Sequence, residues 1–373
     1  MANNSGKGTK FEYDVCQLFS EQNYFTRRSI PIKSTVNQDV TDIDVLGIKY
    51  TYPFEKKVII CDCKNKAKPK PFERIFWTKG LGEYVGANEE YISLPKIGND
   101  IIEFARKSKV RVISQNELSE YEDKQIGYAD YQYYGKFMQI LEDKTLGDLQ
   151  VLDYLSILKK EYISNNPYAS LNIALLILNK LSLGNWSDNG KKILFAEGAT
   201  VVAHAILDIC RDVFGMSKES REKYISVKLT YGGSEDTYIN GLIEDITKYA
   251  NEVLAEKIPK EFYDKNLVDK IQIPVPHYTK NCIAIVERAY TNPERYIDIL
   301  RNIDFILFEF MVKSKSFDYT LFSEYCKNYL VPEKLKACKN VLFFICSSAA
   351  VHLGDIWKEE KEFIPQRILN TET

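Results

Sequence analysis

The stretch Lys57-Val-Ile-Ile-Cys-Asp-Cys-Lys64 reads as an apolar strand that ends in charged residues. Side chains on a strand alternate between its two faces, so Asp62 and Lys64 share one face while Cys61 and Cys63 share the other. A carboxylate and an amine at the end of a buried strand are costly unless they are paired or used in chemistry. This stretch therefore predicts a buried strand with a polar site at its carboxyl end.

A second acidic strand lies upstream, in Thr41-Asp-Ile-Asp-Val-Leu-Gly47. Residues 42–50 have a strand pattern, and the turn Tyr52-Pro-Phe-Glu55 joins this strand to the first one as a hairpin. Asp44 could then add a second carboxylate beside Asp62. Two carboxylates and a lysine around one point form a hard-cation site with a basic group beside it, which suits metal-assisted phosphodiester hydrolysis.

The elements around this hairpin predict a mixed sheet flanked by helices. A helix over residues 9–22 carries Glu12 in its first turn, and the glycines at positions 80, 82 and 86 predict a short or interrupted helix after the site. The remaining predicted elements are strands over 24–32, 90–94 and 110–114 and helices over 71–87 and 100–108. The resulting order, α-β-β-β-α-β-α-β, indicates an α/β amino-terminal domain.

Four segments carry a resemblance to a known superfamily. They are Gly8-Thr-Lys-Phe-Glu12, Asp42-Ile-Asp-Val-Leu-Gly47, Cys61-Asp-Cys-Lys64, and Glu90-Tyr-Ile-Ser-Leu94 with the helix that follows it. The arrangement resembles the PD-(D/E)xK nuclease superfamily, and within it the Mrr-like restriction endonuclease and Holliday-junction-resolvase branches. The resemblance covers about the first third of the chain and implies a restriction-endonuclease-like fold.

The resemblance also implies roles for the site residues. Asp44 and Asp62, with the backbone carbonyl of Cys63, would hold Mg²⁺, for which Mn²⁺ would substitute. Lys64 would position the attacking water or stabilise charge on the phosphate, and Glu12 would complete the metal site or hold a water ligand. Asp42 is the alternative to Asp44; we prefer Asp44 because a short apolar run follows it.

A basic segment follows the predicted site and suggests a polyanionic substrate. Residues 1–80 carry 14 Lys and Arg against 9 Asp and Glu, although the whole chain has a net charge of −2. The excess is concentrated in Lys64, Lys66, Lys68, Lys70 and Arg74. A basic pocket entrance would draw nucleic acid towards an acidic site, and Lys66, Lys68 and Lys79 are candidate substrate contacts. The alternative for Lys79 is a solvated surface lysine.

The remainder of the chain predicts helices and gives no direct sign of a role. Helical periodicity covers residues 149–163, 169–183, 191–214, 237–257, 293–313 and 332–353. We therefore expect a nuclease-like domain over residues 1–120, a connecting segment over 121–148 and an all-α carboxy-terminal domain over 149–373. This last domain would serve recognition, oligomerisation or regulation.

Composition argues against several other classes. The polar amino terminus has no apolar signal core, and what reads as the longest apolar run, Val341 to Leu353, is too short to span a bilayer, so we expect a cytoplasmic protein without a membrane partner. The chain has no P-loop, no GxSxG elbow and only three histidines, none at HExxH spacing. His204 lies in an apolar helix, where a hydrogen-bonded core histidine is expected.

Together these features predict a Mg²⁺-dependent endonuclease that acts on DNA. The pairing of a nuclease domain with a helical domain resembles that of restriction and antiviral defence effectors. A homodimer is expected because one such site cuts one strand, and a protein partner could dock on the helical domain. Two alternatives remain: a non-catalytic nucleic-acid-binding protein on a nuclease-like fold, in which the carboxylates are merely paired with Lys64, and an RNA nuclease.

Overall fold

The protein is described here from a computed structural model. The structure describes residues 5–34, 38–64, 70–118, 149–180, 189–232, 236–259, 273–313, 316–317 and 332–358. The predicted connecting segment over 121–148 lies outside these residues, as do Lys66 and Lys68.

A mixed five-stranded sheet forms the amino-terminal part of the chain. Its strands are β1 (Phe25–Lys33), β2 (Asp39–Thr51), β3 (Glu55–Cys63), β4 (Glu89–Leu94) and β5 (Val110–Ser114). They are arranged in the order β1-β2-β3-β4-β5, with antiparallel pairing from β1 to β3 and parallel pairing from β3 to β5. The predicted mixed sheet and the β2–β3 hairpin are confirmed.

Helices cover both faces of this sheet. Helix α1 (Ser5–Glu21) packs its apolar stripe, which includes Val15 and Phe19, in one cluster with Cys61 and Cys63 of β3. Helices α2 (Pro71–Val85) and α3 (Asn99–Lys107) cover the opposite face over β3 to β5. Because β3 alternates its side chains between the faces, Asp62 points to the side of α2.

Helix α2 is continuous, which corrects the prediction that its glycines shorten or interrupt it. Gly82 lies directly against the Glu90 side chain on β4, and a Cβ atom at that position would collide with it. The glycine therefore allows α2 to approach the sheet closely. Gly86 ends the helix in the left-handed conformation, with a φ of 68°, as glycine commonly does.

The described carboxy-terminal part is helical, as predicted. Its helices are α4 (Leu149–Lys160), α5 (Pro167–Lys180), α6 (Asn189–Asp212), α7 (Lys218–Thr230), α8 (Asp236–Lys257), α9 (Thr279–Thr291), α10 (Pro293–Tyr296), α11 (Ile299–Lys313) and α12 (Pro332–Ser348). Helices α7 and α9 are not among the predicted segments. The segment predicted as one helix over 293–313 is divided into α10 and α11, and α12 ends before residue 353.

One hydrophobic core joins the sheet to these helices. Leu46 and Ile60 of the sheet belong to the same buried cluster as Leu158 of α4, Ile206 of α6 and Ile303 of α11. The two predicted domains, over residues 1–120 and 149–373, therefore share one hydrophobic core. Those domain limits stay a prediction.

Helix α6 is the central element of the helical part. Residues Gly190–Asp212 are long and apolar enough to cross a membrane, but the whole of their most apolar window is buried inside the protein. A core helix of a globular protein has this same composition, so the helix gives only weak support for a membrane span.

A buried arginine connects the sheet to the helices electrostatically. Arg27 of β1 donates from Nε to Glu197 of α6 at 3.0 Å and from Nη2 to Asp304 of α11 at 2.7 Å. The three side chains are each no more than 5% exposed. One guanidinium of the sheet thus contacts two core carboxylates of the helical part.

Replacing Arg27 with methionine should destabilise the fold by about 3–5 kcal/mol, because Glu197 and Asp304 would stay buried without their cation. Urea denaturation measures this loss. Arg111→Met provides the control: its guanidinium, 64% exposed, pairs with Glu89 at 3.3 Å, and its loss should cost less than about 1 kcal/mol. Equal small losses for both variants would contradict the proposed importance of the buried contact.

His204 of α6 lies fully in the core, between the rings of Tyr50 and Tyr162. Its Nε2 atom has no hydrogen-bond partner among the described residues, so the expected hydrogen bond is not found for this nitrogen. Asp208, 3.5 Å away, is already held by Tyr50 and by Lys56. Burial, together with the charge of Lys56, lowers the pKa of His204 to about 3.

This histidine should make the protein less stable in mild acid. Between about pH 6.5 and 3 the unfolded chain binds a proton at position 204 that the folded chain does not, so stability falls as pH falls through this window. At pH 5 the loss from this residue should be about 2 kcal/mol. Urea denaturation at pH 7.5 and pH 5 should show a smaller difference for His204→Phe than for wild type. An unchanged difference would show that His204 is not the titrating group.

Candidate active site

Three oxygen atoms converge on the ammonium group of Lys64 at the carboxyl end of β3. The Nζ atom lies 2.7 Å from Asp44 Oδ2, 3.0 Å from Asp62 Oδ1 and 3.3 Å from the carbonyl oxygen of Cys63. These are three of the four groups that the resemblance implied as metal ligands; the fourth is Glu12. The structure therefore brings these three together around a single cationic atom. We call Asp44, Asp62, Cys63 and Lys64 the strand-end cluster.

Hairpin register places the two carboxylates side by side. Val45 of β2 lies opposite Cys61 of β3, so Asp44 and Asp62 are the next residues towards the same end of the two strands. The Asp44 carboxylate also accepts a hydrogen bond from the backbone N–H of Cys63 at 2.7 Å. This bond fixes the Asp44 side chain across the end of β3.

Arg74 of α2 covers Asp62 from the side of the solvent. Its Nε donates to Asp62 Oδ2 at 2.8 Å and its Nη2 contacts Asp62 Oδ1, so the guanidinium fork engages both oxygens. The Asp62 side chain is 2% exposed and that of Arg74 is 25% exposed. The guanidinium also lies over the ring of Trp77, 4.2 Å from its centroid.

Glu12 points to a different cation. Its carboxylate accepts a hydrogen bond from Arg28 Nε of β1 at 3.1 Å, and its side chain is 18% exposed. Burial raises the pKa of Glu12 to about 7, against the lowering effect of Arg28, and the negative charge of Asp44 adds to the rise. Glu12 is therefore close enough to sense Asp44 but lies outside the strand-end cluster.

Electrostatics keep Lys64 in its charged form. Burial lowers the pKa of this amine, but the charges of Asp44 and Asp62 outweigh burial and raise the pKa above its ordinary value. A lysine in this state cannot accept a proton, so Lys64 acts here as a fixed positive charge. Burial in turn raises the pKa of Asp44, and the Lys64 ammonium opposes that rise.

The other predicted residues lie away from this point. Asp42 shares the strand of Asp44 but is exposed, and the structure gives the inward position to Asp44. Lys79 of α2 pairs with Glu90 at 2.8 Å and with Glu83 at 3.4 Å. The pair with Glu90 connects α2 to β4, and the pair with Glu83 lies within α2.

The donor set fits a hard divalent cation. Two carboxylates and a carbonyl are the oxygen ligands that Mg²⁺ accepts, and here they already surround a positive charge. Within the described residues no group of three or more His, Cys, Asp or Glu side chains is arranged to hold a metal. The strand-end cluster contributes two such side chains, Asp44 and Asp62. Glu12, the third predicted carboxylate, is turned towards Arg28.

Two arginines of this region were not predicted as site residues. Arg74 was predicted only as a member of the basic segment, and no role was predicted for Arg28. For Arg74 the available signal was its place in the first turns of the helix that follows the site. A basic side chain there lies near the end of β3. For Arg28 no pattern in the sequence indicated a contact with Glu12.

The chain was compared with protein-family models, curated proteins and solved structures, and none of them matches it. The resemblance to PD-(D/E)xK nucleases therefore rests on the short sequence motifs.

Lys64→Met should destabilise the protein by about 1–3 kcal/mol, because Asp44 loses its cation in a largely buried position. Adding Asp44→Asn to this variant should recover part of the loss, since the unpaired charge is then removed. Lys70→Met is the control on an exposed pair with Glu73, and it should change stability by less than about 1 kcal/mol. Thermal or urea unfolding measures all four proteins. No recovery in the double variant would contradict the charge pairing.

Proposed function

We propose that the protein is a Mg²⁺-dependent endonuclease with a restriction-endonuclease-like amino-terminal part. One observation carries this proposal: the two carboxylates and the carbonyl predicted as metal ligands converge within 3.3 Å of one cationic atom at the end of β3. The mixed sheet, with its antiparallel hairpin next to parallel strands, supports the proposal. So do the motifs that resemble the PD-(D/E)xK superfamily.

The residues of the strand-end cluster have distinct proposed roles. Asp44, Asp62 and the Cys63 carbonyl would hold Mg²⁺, with Mn²⁺ as a substitute. The bound ion would supply Lewis acidity for the phosphate and a water of lowered pKa. Lys64 would leave the carboxylates and place its charge at the phosphate, where it stabilises negative charge in the transition state. Asp44, rather than Asp42, would be the ligand because only Asp44 points into the cluster.

Glu12 would act beside the cluster. Its carboxyl lies close enough to Asp44 for the two charges to interact, and Arg28 holds its orientation. Such a group can hold a water molecule of the metal site or become a further ligand. Lys159 of α4 donates to the backbone carbonyl of Arg28 at 3.2 Å, so the helical part contacts the strand that carries this pair.

DNA is the substrate that we propose, with RNA as the alternative. The basic segment after β3 would meet the phosphate backbone, and its members Lys66 and Lys68 lie outside the described residues. The resemblance suggests a role in restriction or antiviral defence in the cytoplasm. A homodimer would let two sites cut the two strands of a duplex, and the helical part would supply that interface, target recognition or a partner contact.

A second candidate function is nucleic-acid binding without catalysis. The observation that favours it is that Arg74 and Lys64 together engage both Asp62 oxygens, which is also the arrangement of a purely structural ion-pair cluster. In that case metal would not bind and the sheet would only hold nucleic acid.

Plasmid nicking separates these candidates. With Mg²⁺, wild-type protein should nick or linearise supercoiled DNA, whereas Asp44→Asn, Asp62→Asn and Lys64→Met should each lower the rate by more than about a hundredfold. Even the outer partners of metal ligands cost about 10–100-fold when they are lost, so direct ligands should cost more. Asp42→Asn is the matched control on the same strand and should stay within about twofold of wild type, because its side chain is exposed.

Cleavage that survives Asp44→Asn and Asp62→Asn would show that the site assignment is wrong. Absence of cleavage by wild type on both DNA and RNA, together with retained nucleic-acid binding, would favour the non-catalytic candidate. Replacing the plasmid with a labelled RNA in the same assay identifies the substrate class.

A further inference from the structure

Both oxygens of the Asp62 carboxylate contact a cationic side chain in the described conformation. Arg74 engages both oxygens through its guanidinium fork, and Lys64 Nζ contacts Oδ1 as well. Asp62 is almost fully buried, and Arg74 is the more exposed member of the pair. A cation arriving from solvent therefore meets the guanidinium before it reaches the carboxylate.

The balance of charges also indicates that an incoming cation must compete with the positive side chains. The carboxylates of Asp44 and Asp62 carry two negative charges, which the ammonium of Lys64 and the guanidinium of Arg74 neutralise. A divalent cation added to this group would leave it with a net charge of about +2 in a partly buried position, which is costly. Binding of such an ion is therefore coupled to release of the positive side chains.

A released Arg74 would be placed for a phosphate. The fork that holds two carboxylate oxygens has the same geometry for two phosphate oxygens, which lysine cannot reproduce. Arg74 rests on the partly exposed ring of Trp77, which supports the guanidinium plane without depending on Asp62. The neighbouring Lys70 pairs with Glu73 at 2.9 Å, so at the start of α2 the phosphate-binding role falls to Arg74.

We propose that Arg74 is a phosphate-binding residue that exchanges its Asp62 partner for the nucleic-acid backbone when a divalent cation enters the strand-end cluster. This proposal rests on the proposed nuclease function and adds a residue to it. Arg74 has two successive partners in this account. It neutralises Asp62 in the metal-free protein and binds the phosphodiester in the metal-bound protein.

The first test is metal affinity in the absence of nucleic acid. Titration of the full chain with Mn²⁺, followed by electron paramagnetic resonance of the free ion, should give tighter binding for Arg74→Met than for wild type, by about tenfold. Tighter binding follows because a competing cation has been removed. If Arg74 only positions Asp62 for the metal, the same variant should bind Mn²⁺ more weakly, which would overturn the proposal.

The second test is DNA affinity, measured by fluorescence anisotropy of a labelled duplex in the Lys64→Met background to suppress cleavage. Mn²⁺ should strengthen DNA binding by the Lys64→Met protein. Adding Arg74→Met should remove most of this gain, which lowers DNA affinity in the presence of Mn²⁺ by about tenfold. The slope of log affinity against log salt should fall by about 1, as expected for one lost phosphate contact. Arg74→Lys should have an intermediate affinity because it keeps the charge without the fork.

Controls separate this proposal from the proposed function. Arg106→Met, on the exposed side of α3, should change Mn²⁺ affinity by less than about twofold, and circular dichroism establishes that each variant is folded. Wild type that binds Mn²⁺ and cuts DNA while Arg74→Met alters neither affinity would overturn the Arg74 proposal alone. Absence of Mn²⁺ binding in both wild type and Arg74→Met would overturn the nuclease proposal. Tighter Mn²⁺ binding together with weaker DNA binding on loss of Arg74 supports the proposed exchange.

Discussion

The requirement that a buried carboxylate must have a cation determines how this protein is assembled. At the end of β3, Asp62 is almost fully buried and both Lys64 and Arg74 neutralise it. Without those charges the desolvation of Asp62 would cost several kcal/mol, so the pairing adds an electrostatic contact to the apolar packing of α2 on the sheet. The same requirement operates inside the core, where Arg27 of β1 neutralises Glu197 and Asp304 of the helical part. The sheet thus supplies the cation on which these helices depend.

The two kinds of pairing have different consequences. The Arg27 contact lies deep in the shared core, where no ligand can replace the guanidinium, and its role is to hold the sheet against α6 and α11. The strand-end cluster is more accessible, because Lys64 and Arg74 keep about a quarter of their side-chain surface exposed. The proposed exchange for an ion and a phosphate concerns these two partly exposed side chains. Solvent therefore reaches the cations at the end of β3 and on α2, but not the Arg27 contact in the core.

The fold was predictable where local pattern decides it. Alternation along residues 42–50 and 57–64 predicted the hairpin, and the turn between them has the expected position, because β2 ends at Thr51 and β3 begins at Glu55. Helix α7 begins with a mostly polar stretch that hides its apolar face, and its stability depends on buried contacts of Ile225 and Leu229. The contact of Gly82 with Glu90 is likewise tertiary, so the glycines misled the prediction of α2.

The same distinction applies to the candidate site. Strand alternation and hairpin register are enough to bring Asp44 and Asp62 beside Lys64. They cannot show that Arg74 reaches Asp62 across twelve positions of the chain, or that Glu12 turns towards Arg28. Those contacts depend on where whole helices pack on the sheet. The most direct measurement is the anomalous scattering of a Mn²⁺-soaked crystal. One peak is expected between Asp44 and Asp62, at the place that Lys64 Nζ now holds. Absence of a peak at saturating Mn²⁺, with Lys64 and Arg74 still on the carboxylates, would contradict the proposed metal site.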